Sequence, residues 1–157
     1  MWKVSIKKIL ANCIFTIFIV VSSLNLHSNQ DKLIEELVLP KGFEISIYAD
    51  NIESPRQITE TNQGYIIVGS KKGDKIYAVF DEDNDGHANK KILVAEGLQN
   101  PTGVTFYKDD LYFSEIDKIW VIKKIDKWLG LNAESLPVRE LYFDDLPSNT
   151  WHGFKYL

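Results

Sequence analysis

The chain has 157 residues, 45% apolar, 12% aromatic and 25% charged, with a formal net charge of −4. That balance suits a single globular domain and excludes collagen-like or strongly disordered chains. Cys13 is the one cysteine, which excludes a disulfide framework and a thiolate metal site.

Residues 1–28 read as a secretory signal peptide. Lys3, Lys7 and Lys8 form a basic start, and Ile9–Leu24 is apolar apart from Asn12, Thr16, Ser22 and Ser23. Small residues at Ser22-Ser23 or Ser28 offer cleavage points. The rival is an uncleaved membrane anchor, for which 16 residues is short, since a span needs about 20. Leu10-Ala11-Asn12-Cys13 imitates a lipidation motif, but the apolar stretch follows the cysteine instead of preceding it. The expectation is export, periplasmic or extracellular, with attachment to a membrane only if this segment is retained. Beyond Ser28, 15 basic residues face 22 acidic ones, a net of −7. With no basic run, nucleic acid and anionic membrane surfaces are excluded as partners.

From residue 29 to 157 the pattern predicts one β-rich domain. Leu33 and Leu37 share a helical face, ended by Leu39-Pro40-Lys41-Gly42. Phe43–Ile47 alternates apolar and polar residues, which predicts a half-buried strand. Pro55 then opens a repeat. Against the later stretch PTGVTFYKDDLYFSEIDKIWVI, Pro55 falls on Pro101, Ile58 on Val104, and Tyr65-Ile66-Ile67 on Leu111-Tyr112-Phe113. Pro147 follows Pro101 at the same interval of 46 residues. The run Tyr65–Val68 lacks alternation, as a strand covered on both faces does. Further strands are expected at Ile92–Ala95, Val138–Phe143 and Phe154–Leu157, and a helical turn at Lys127–Gly130. Short β-branched and aromatic runs broken by Asp and Lys clusters describe antiparallel meanders.

A period near 46 residues with some four strands matches a β-propeller blade. Six blades need roughly 280 residues, so the fold class expected is all-β: about two and a half blades of a six-bladed propeller, preceded by a signal helix. An open stack would leave raw edges. On that ground the chain is read as the N-terminal part of a longer protein.

Two places could carry chemistry. Asp81, Asp83 and Asp85 stand at positions 1, 3 and 5 of a loop with Gly86 at position 6 and Asn89 at position 9. That spacing can converge oxygens on Ca²⁺, although Ile92 replaces the bidentate Glu of an EF-hand. The same composition also makes a solvated turn, and His87 within it reads as a solvated side chain. His152, in LPSNTWHGF, precedes an apolar strand at the start of a third repeat. There it could face a central channel and act as a base, or simply bond a neighbouring carbonyl. Arg56 begins the first repeat's inner strand and could face the same channel, or be held in a salt bridge.

The ordered set LPKGFEISIYADNIESPRQI, the D-x-D-x-D-G loop, AEGLQNPTGV, DLYFSE and LPSNTWHGF resembles the quinoprotein glucose/sorbosone dehydrogenases over residues 39–157. That resemblance implies an exported six-bladed propeller using pyrroloquinoline quinone (PQQ), with a sugar or aldehyde as substrate and an unidentified electron acceptor. It also implies that His152 is the catalytic base and that Gln99 and Asn100 lie near a cofactor-contacting amide. The family's arginine, lysine and calcium ligands for the quinone belong to later blades and match no residue here. The 157-residue chain alone is therefore expected to be inactive. The alternatives are a six-bladed lactonase or similar hydrolase, and a propeller that binds a protein or glycan without catalysis.

Overall fold

The computed structural model describes residues 34–131, 135–151 and 153–157. The signal-like segment 1–28 lies outside them. Among the described residues, no helix is long and apolar enough to cross a membrane. The chain divides into two units, Met1–Ser46 and Ile47–Leu157. In the first, a helical turn closes with Leu37 N–H donating to Ile34 O at 3.1 Å, and a second turn with Phe43 N–H to Pro40 O at 3.1 Å. The strand expected at Phe43–Ile47 does not form. Alternation selects a face, but a strand also needs a neighbour for its N–H and C=O groups, and Phe43 and Ile45 stay exposed.

Among its described residues the second unit is β-rich, with two four-stranded antiparallel sheets and one short helix. β1 (Pro55–Glu60), β2 (Ile66–Ser70), β3 (Ile76–Phe80) and β4 (Lys90–Ala95) form the first sheet, in that order. β5 (Val104–Tyr107), β6 (Asp110–Ser114), β7 (Ile119–Ile122) and β8 (Glu140–Phe143) repeat the order in the second. The predicted strand Phe154–Leu157 is not part of either sheet.

The repeat is real but slips by one residue. The β1–β2 loop is Asn62-Gln63-Gly64, closed by Thr61 N–H to Tyr65 O at 3.0 Å with Gly64 at φ 85°. The β5–β6 loop has two residues, Lys108 and Asp109, both at positive φ, as a tight hairpin with native twist requires. Thr59 therefore pairs with Ile67 as Val104 pairs with Phe113. Thr59, and not Ile58, is the counterpart of Val104. Because side chains alternate across a strand, that one step reverses the face. Ile58 is 63% exposed, whereas Val104 is fully buried.

The core is one apolar cluster. Ile67, Ile76 and Ala78 of the first sheet join Val104, Leu111, Phe113 and Ile122 of the second. α1 (Ile125–Leu129) adds Ile125 and Leu129, four residues apart on one helical face. β2 is buried on both faces, as its unbroken apolar run predicts, with Ile67 on one side and Val68 on the other. Each fully buried large apolar side chain contributes about 1.5–3 kcal/mol. A solvent-facing ion pair such as Lys75–Asp74 contributes at most about 1 kcal/mol. Burial, not surface charge, stabilises this unit.

The two sheets meet at their first strands, and side chains join them there. Gln57 Nε2 donates to Val104 O and to Leu157 O, both at 3.0 Å. Thr59 Oγ1 accepts the Phe106 N–H at 3.2 Å. Beside that joint, Ser114, fully buried, accepts the Gly103 N–H on its hydroxyl at 3.1 Å and donates to Lys155 O at 3.2 Å, which ties β6 to the β5 lead-in and to residues 153–157. Backbones come equally close. A Cβ at Gly69 would stand 2.5 Å from Thr102 O, so no other residue fits without movement.

Ser114→Ala should therefore strand the buried Gly103 N–H and leave the half-buried Lys155 carbonyl without this donor, costing about 1–3 kcal/mol. Thermal or urea unfolding of the variant checks this, and an unchanged midpoint would count against the linking role.

Candidate functional site

Polar side chains gather at three places among the described residues. The first is the end where β1 begins. Arg56 donates through Nε and Nη2 to the Tyr156 hydroxyl at 3.1 and 2.6 Å. The Lys71 ammonium lies 4.8 Å from the Phe154 ring centroid, and Lys155 Nζ donates to Gly153 O at 2.8 Å. Three cations thus gather on the segment 153–156. Ser70 brings the lead-in of β5 to this end, since it pairs with Pro55 and donates its N–H to Pro101 O at 2.8 Å.

Gln99 and Asn100 belong to that lead-in. Asn100 takes φ 49°, a left-handed conformation that Asn tolerates, and its carbonyl accepts the Thr102 N–H at 2.7 Å. Gln99 N–H donates to Oε1 of Glu115, whose Oε2 accepts Trp120 Nε1–H at 2.7 Å. Glu115 is a buried carboxylate that the sequence disguises as part of a polar turn. His152 lies outside the described residues. Beside it, Trp151 is exposed and Gly153 is buried.

The second place is the loop Asp81–Asn89. Carboxylate oxygens of Asp81, Asp83 and Asp85 all lie within 4.8 Å of one another. Calcium–oxygen distances of 2.3–2.6 Å separate opposite ligands by about 5 Å, so the three fit around one such ion. The loop is held in shape by its own bonds. Asp81 accepts the N–H groups of Asp85 at 3.3 Å and Gly86 at 2.8 Å. Desolvation acts upward on the Asp81 carboxyl, but bonds from Gly86, Asp83, Asp85 and Asn84 outweigh it and hold it below its ordinary value. Asn89 Oδ1 accepts the Glu82 N–H at 3.0 Å. His87 is exposed, in keeping with a solvated side chain, and its Nδ1 lies 2.9 Å from Ile47 O. A carbonyl only accepts, so that nitrogen carries a proton. Nearby Tyr48 has its phenol raised, first by desolvation and then by the Asp81 charge.

The third place was not foreseen. The turns Asn62–Gly64 and Lys108-Asp109 and the start of α1 enclose a cleft of about 480 Å³ lined by Asn62, Gln63, Asp109, Lys124, Asp126 and Lys127. Asp126 Oδ2 accepts the Asn62 N–H at 3.1 Å, and Asn62 Nδ2 donates to Asp109 Oδ1 at 2.9 Å. Ile125 N–H donates to Asp109 O at 2.9 Å. Next to the cleft, Asp110 accepts Lys123 Nζ and the Lys124 N–H, each at 2.9 Å. No motif in the sequence marks this grouping, because its members come from three separate polar stretches.

An uncharacterised protein of Borreliella burgdorferi is 32% identical to this chain over 123 residues. The match covers 78% of this chain and 30% of the relative, so the chain spans under a third of that relative's length. No protein-family model and no solved structure matches the chain.

The Asp110 bonds set a pH dependence. Partial burial acts upward on its carboxyl, but the Lys123 ammonium, the Lys124 N–H and both lysine charges outweigh it, holding it below the ordinary 3.8. Lys123 is raised in turn, chiefly by the same hydrogen bond. A lowered carboxyl contributes stability above its unfolded value and loses it as pH falls through the folded value. Asp110→Asn should thus lower the melting temperature near neutrality and flatten its decline below about pH 4. Melts recorded across that range check it, and an acid limb identical to wild type would contradict it.

Proposed function

We propose that the chain is the N-terminal part of a β-propeller quinoprotein, a sugar or aldehyde dehydrogenase of the glucose/sorbosone type. The observation that carries this reading is the side-by-side setting of β1, β5 and residues 153–157. Gln57 bridges all three, donating to both Val104 O and Leu157 O at 3.0 Å. Four-stranded meanders whose first strands stand together around an axis are how propeller blades meet. The exposed apolar side chains of Leu141, Tyr142 and Phe143 on β8 offer surface that further blades would cover.

The residues present fit an anionic cofactor in charge. PQQ carries carboxylates, and Arg56, Lys71 and Lys155 gather at the end where the first strands begin. Arg56 would hold a carboxylate there, with Gln99 and Asn100 beside the β5 lead-in. The quinone, when bound, supplies a hydride acceptor. His152 serves as the base that removes the proton from the substrate hydroxyl, work typically worth 10²–10⁴-fold in rate. Ca²⁺ is assigned to Asp81, Asp83 and Asp85, with Asn89 at the loop's end, as a structural ion. A lactonase would need Glu, Asn and Asp at the inner-strand starts to hold a metal, and these starts offer Arg56, Thr102 and His152 instead; Thr102 is fully buried, its hydroxyl 3.3 Å from Asn100 O.

Export to the periplasm or cell exterior accompanies this reading, through residues 1–28. The longer protein, supplied with PQQ and Ca²⁺, should reduce an artificial electron acceptor when given aldoses. His152→Ala should lower that turnover about 10²–10⁴-fold. Equal activity without PQQ would overturn the assignment, and quinone-dependent turnover by the 157-residue chain alone would overturn its status as an incomplete site. Separately, Ca²⁺ at about 100 times its dissociation constant should stabilise the chain by about 2.7 kcal/mol. Asp81→Asn should abolish that gain, and a melting temperature indifferent to Ca²⁺ would remove the ion from the loop.

A further inference from the structure

We propose that the cleft between the two hairpin turns and α1 is a second binding site, and that its ligand is a small, uncharged, hydroxyl-rich molecule such as a monosaccharide. The site is distinct from the one where β1 begins. Its turn residues Asn62 and Gln63 follow the far end of β1, whose six residues separate them from Pro55. At about 3.3 Å per residue, the two places are roughly 20 Å apart along the strand. The inference does not rest on quinone chemistry.

Size and charge define the ligand class. At about 480 Å³ the cleft falls within the range of small-molecule sites. Two carboxylates, Asp109 and Asp126, stand against two ammonium groups, Lys124 and Lys127, so the lining is neutral overall. A neutral lining gives no net attraction to a phosphate or to a divalent cation. Two amides, Asn62 and Gln63, add groups that both donate and accept. A hydroxyl likewise both donates and accepts, and a ring bearing several of them can answer every kind of group present.

A buried group points the same way. Asp126 is only 6% exposed, and while its Oδ2 takes the Asn62 N–H, its Oδ1 is enclosed with no donor among the described residues. Buried carboxylate oxygens are normally satisfied, so an orphaned one at a cleft needs an incoming donor. An ammonium or a metal ion answering it would upset the neutral balance of the lining, whereas a sugar hydroxyl, taking the place a water can fill, leaves that balance intact. Binding requires a small shift of the Asp126 carboxylate or of the Asn62–Gly64 turn to admit that donor. The turn can supply it, since Asn62 and Gln63 are exposed.

The test is a titration of the isotope-labelled 157-residue chain with D-glucose, followed by amide resonances. Saturable shifts centred on Asn62, Gln63, Asp109 and Asp126 are expected. Asp126→Asn isolates the key group. Its amide oxygen can still accept the Asn62 N–H, which leaves the amide NH₂ where Oδ1 stood and turns an acceptor into a donor. Affinity should fall at least about tenfold, while the melting temperature changes little. Should that variant fail to fold, the exposed Gln63→Ala carries the same expectation without touching the core. Shifts elsewhere only, equal glucose binding by the variants, or a response of these amides to Ca²⁺ and not to glucose would each overturn the proposal.

Discussion

The described structure depends on how its two sheets are joined. Each sheet is an ordinary meander, but the ladder of neither continues into the other. The joint is made by side chains that reach backbone: Gln57 to Val104 and Thr59 to Phe106, while Gln57 also reaches Leu157 and Ser114 ties Gly103 to Lys155 beside it. These are neutral bonds with a modest net contribution each, yet leaving any partner unmet in the interior costs the full desolvation penalty. Polar side chains here therefore fix the geometry, while the apolar cluster beside them provides the driving force.

That joint also brings distant polar groups together. Once β1 and β5 lie side by side, their starts collect Arg56, the β5 lead-in and the segment 153–156. Their far ends collect the two hairpin turns and α1. One end is rich in cations; the other balances two carboxylates against two ammonium groups. A single packing arrangement thus creates two chemically different surfaces from one pair of strands. The carboxylate loop Asp81–Asn89 stands apart from both, shaped by bonds among its own neighbours.

Charged residues carry the least reliable local signal in this chain. Glu115 and Asp126 lie in stretches that read as polar and irregular, yet both are buried. Each is buried because a partner distant in sequence meets it: the Gln99 N–H for Glu115 and the Asn62 N–H for Asp126. A carboxylate's composition signals water, and only its bonding partners can override that signal. Phe43–Ile47 failed in the opposite sense. Its alternation is a valid strand pattern, but a pattern cannot supply the neighbouring strand.

By itself the sequence determined that the chain is all-β, built from repeated short strands, with β2 covered on both faces and a helical turn near Lys127. It did so because period and residue type are local properties: β-branched and aromatic runs, broken by turn residues, leave few other conformations. It also marked the carboxylate loop, whose three aspartates and Asn89 lie within nine residues of one another. Tertiary structure alone decided the register between repeats, the burial of Glu115 and Asp126, and the existence of the cleft. A hairpin one residue shorter moved Val104 inward where Ile58 points out. That difference depends on which carbonyl meets which N–H across a turn, and no composition or spacing records it.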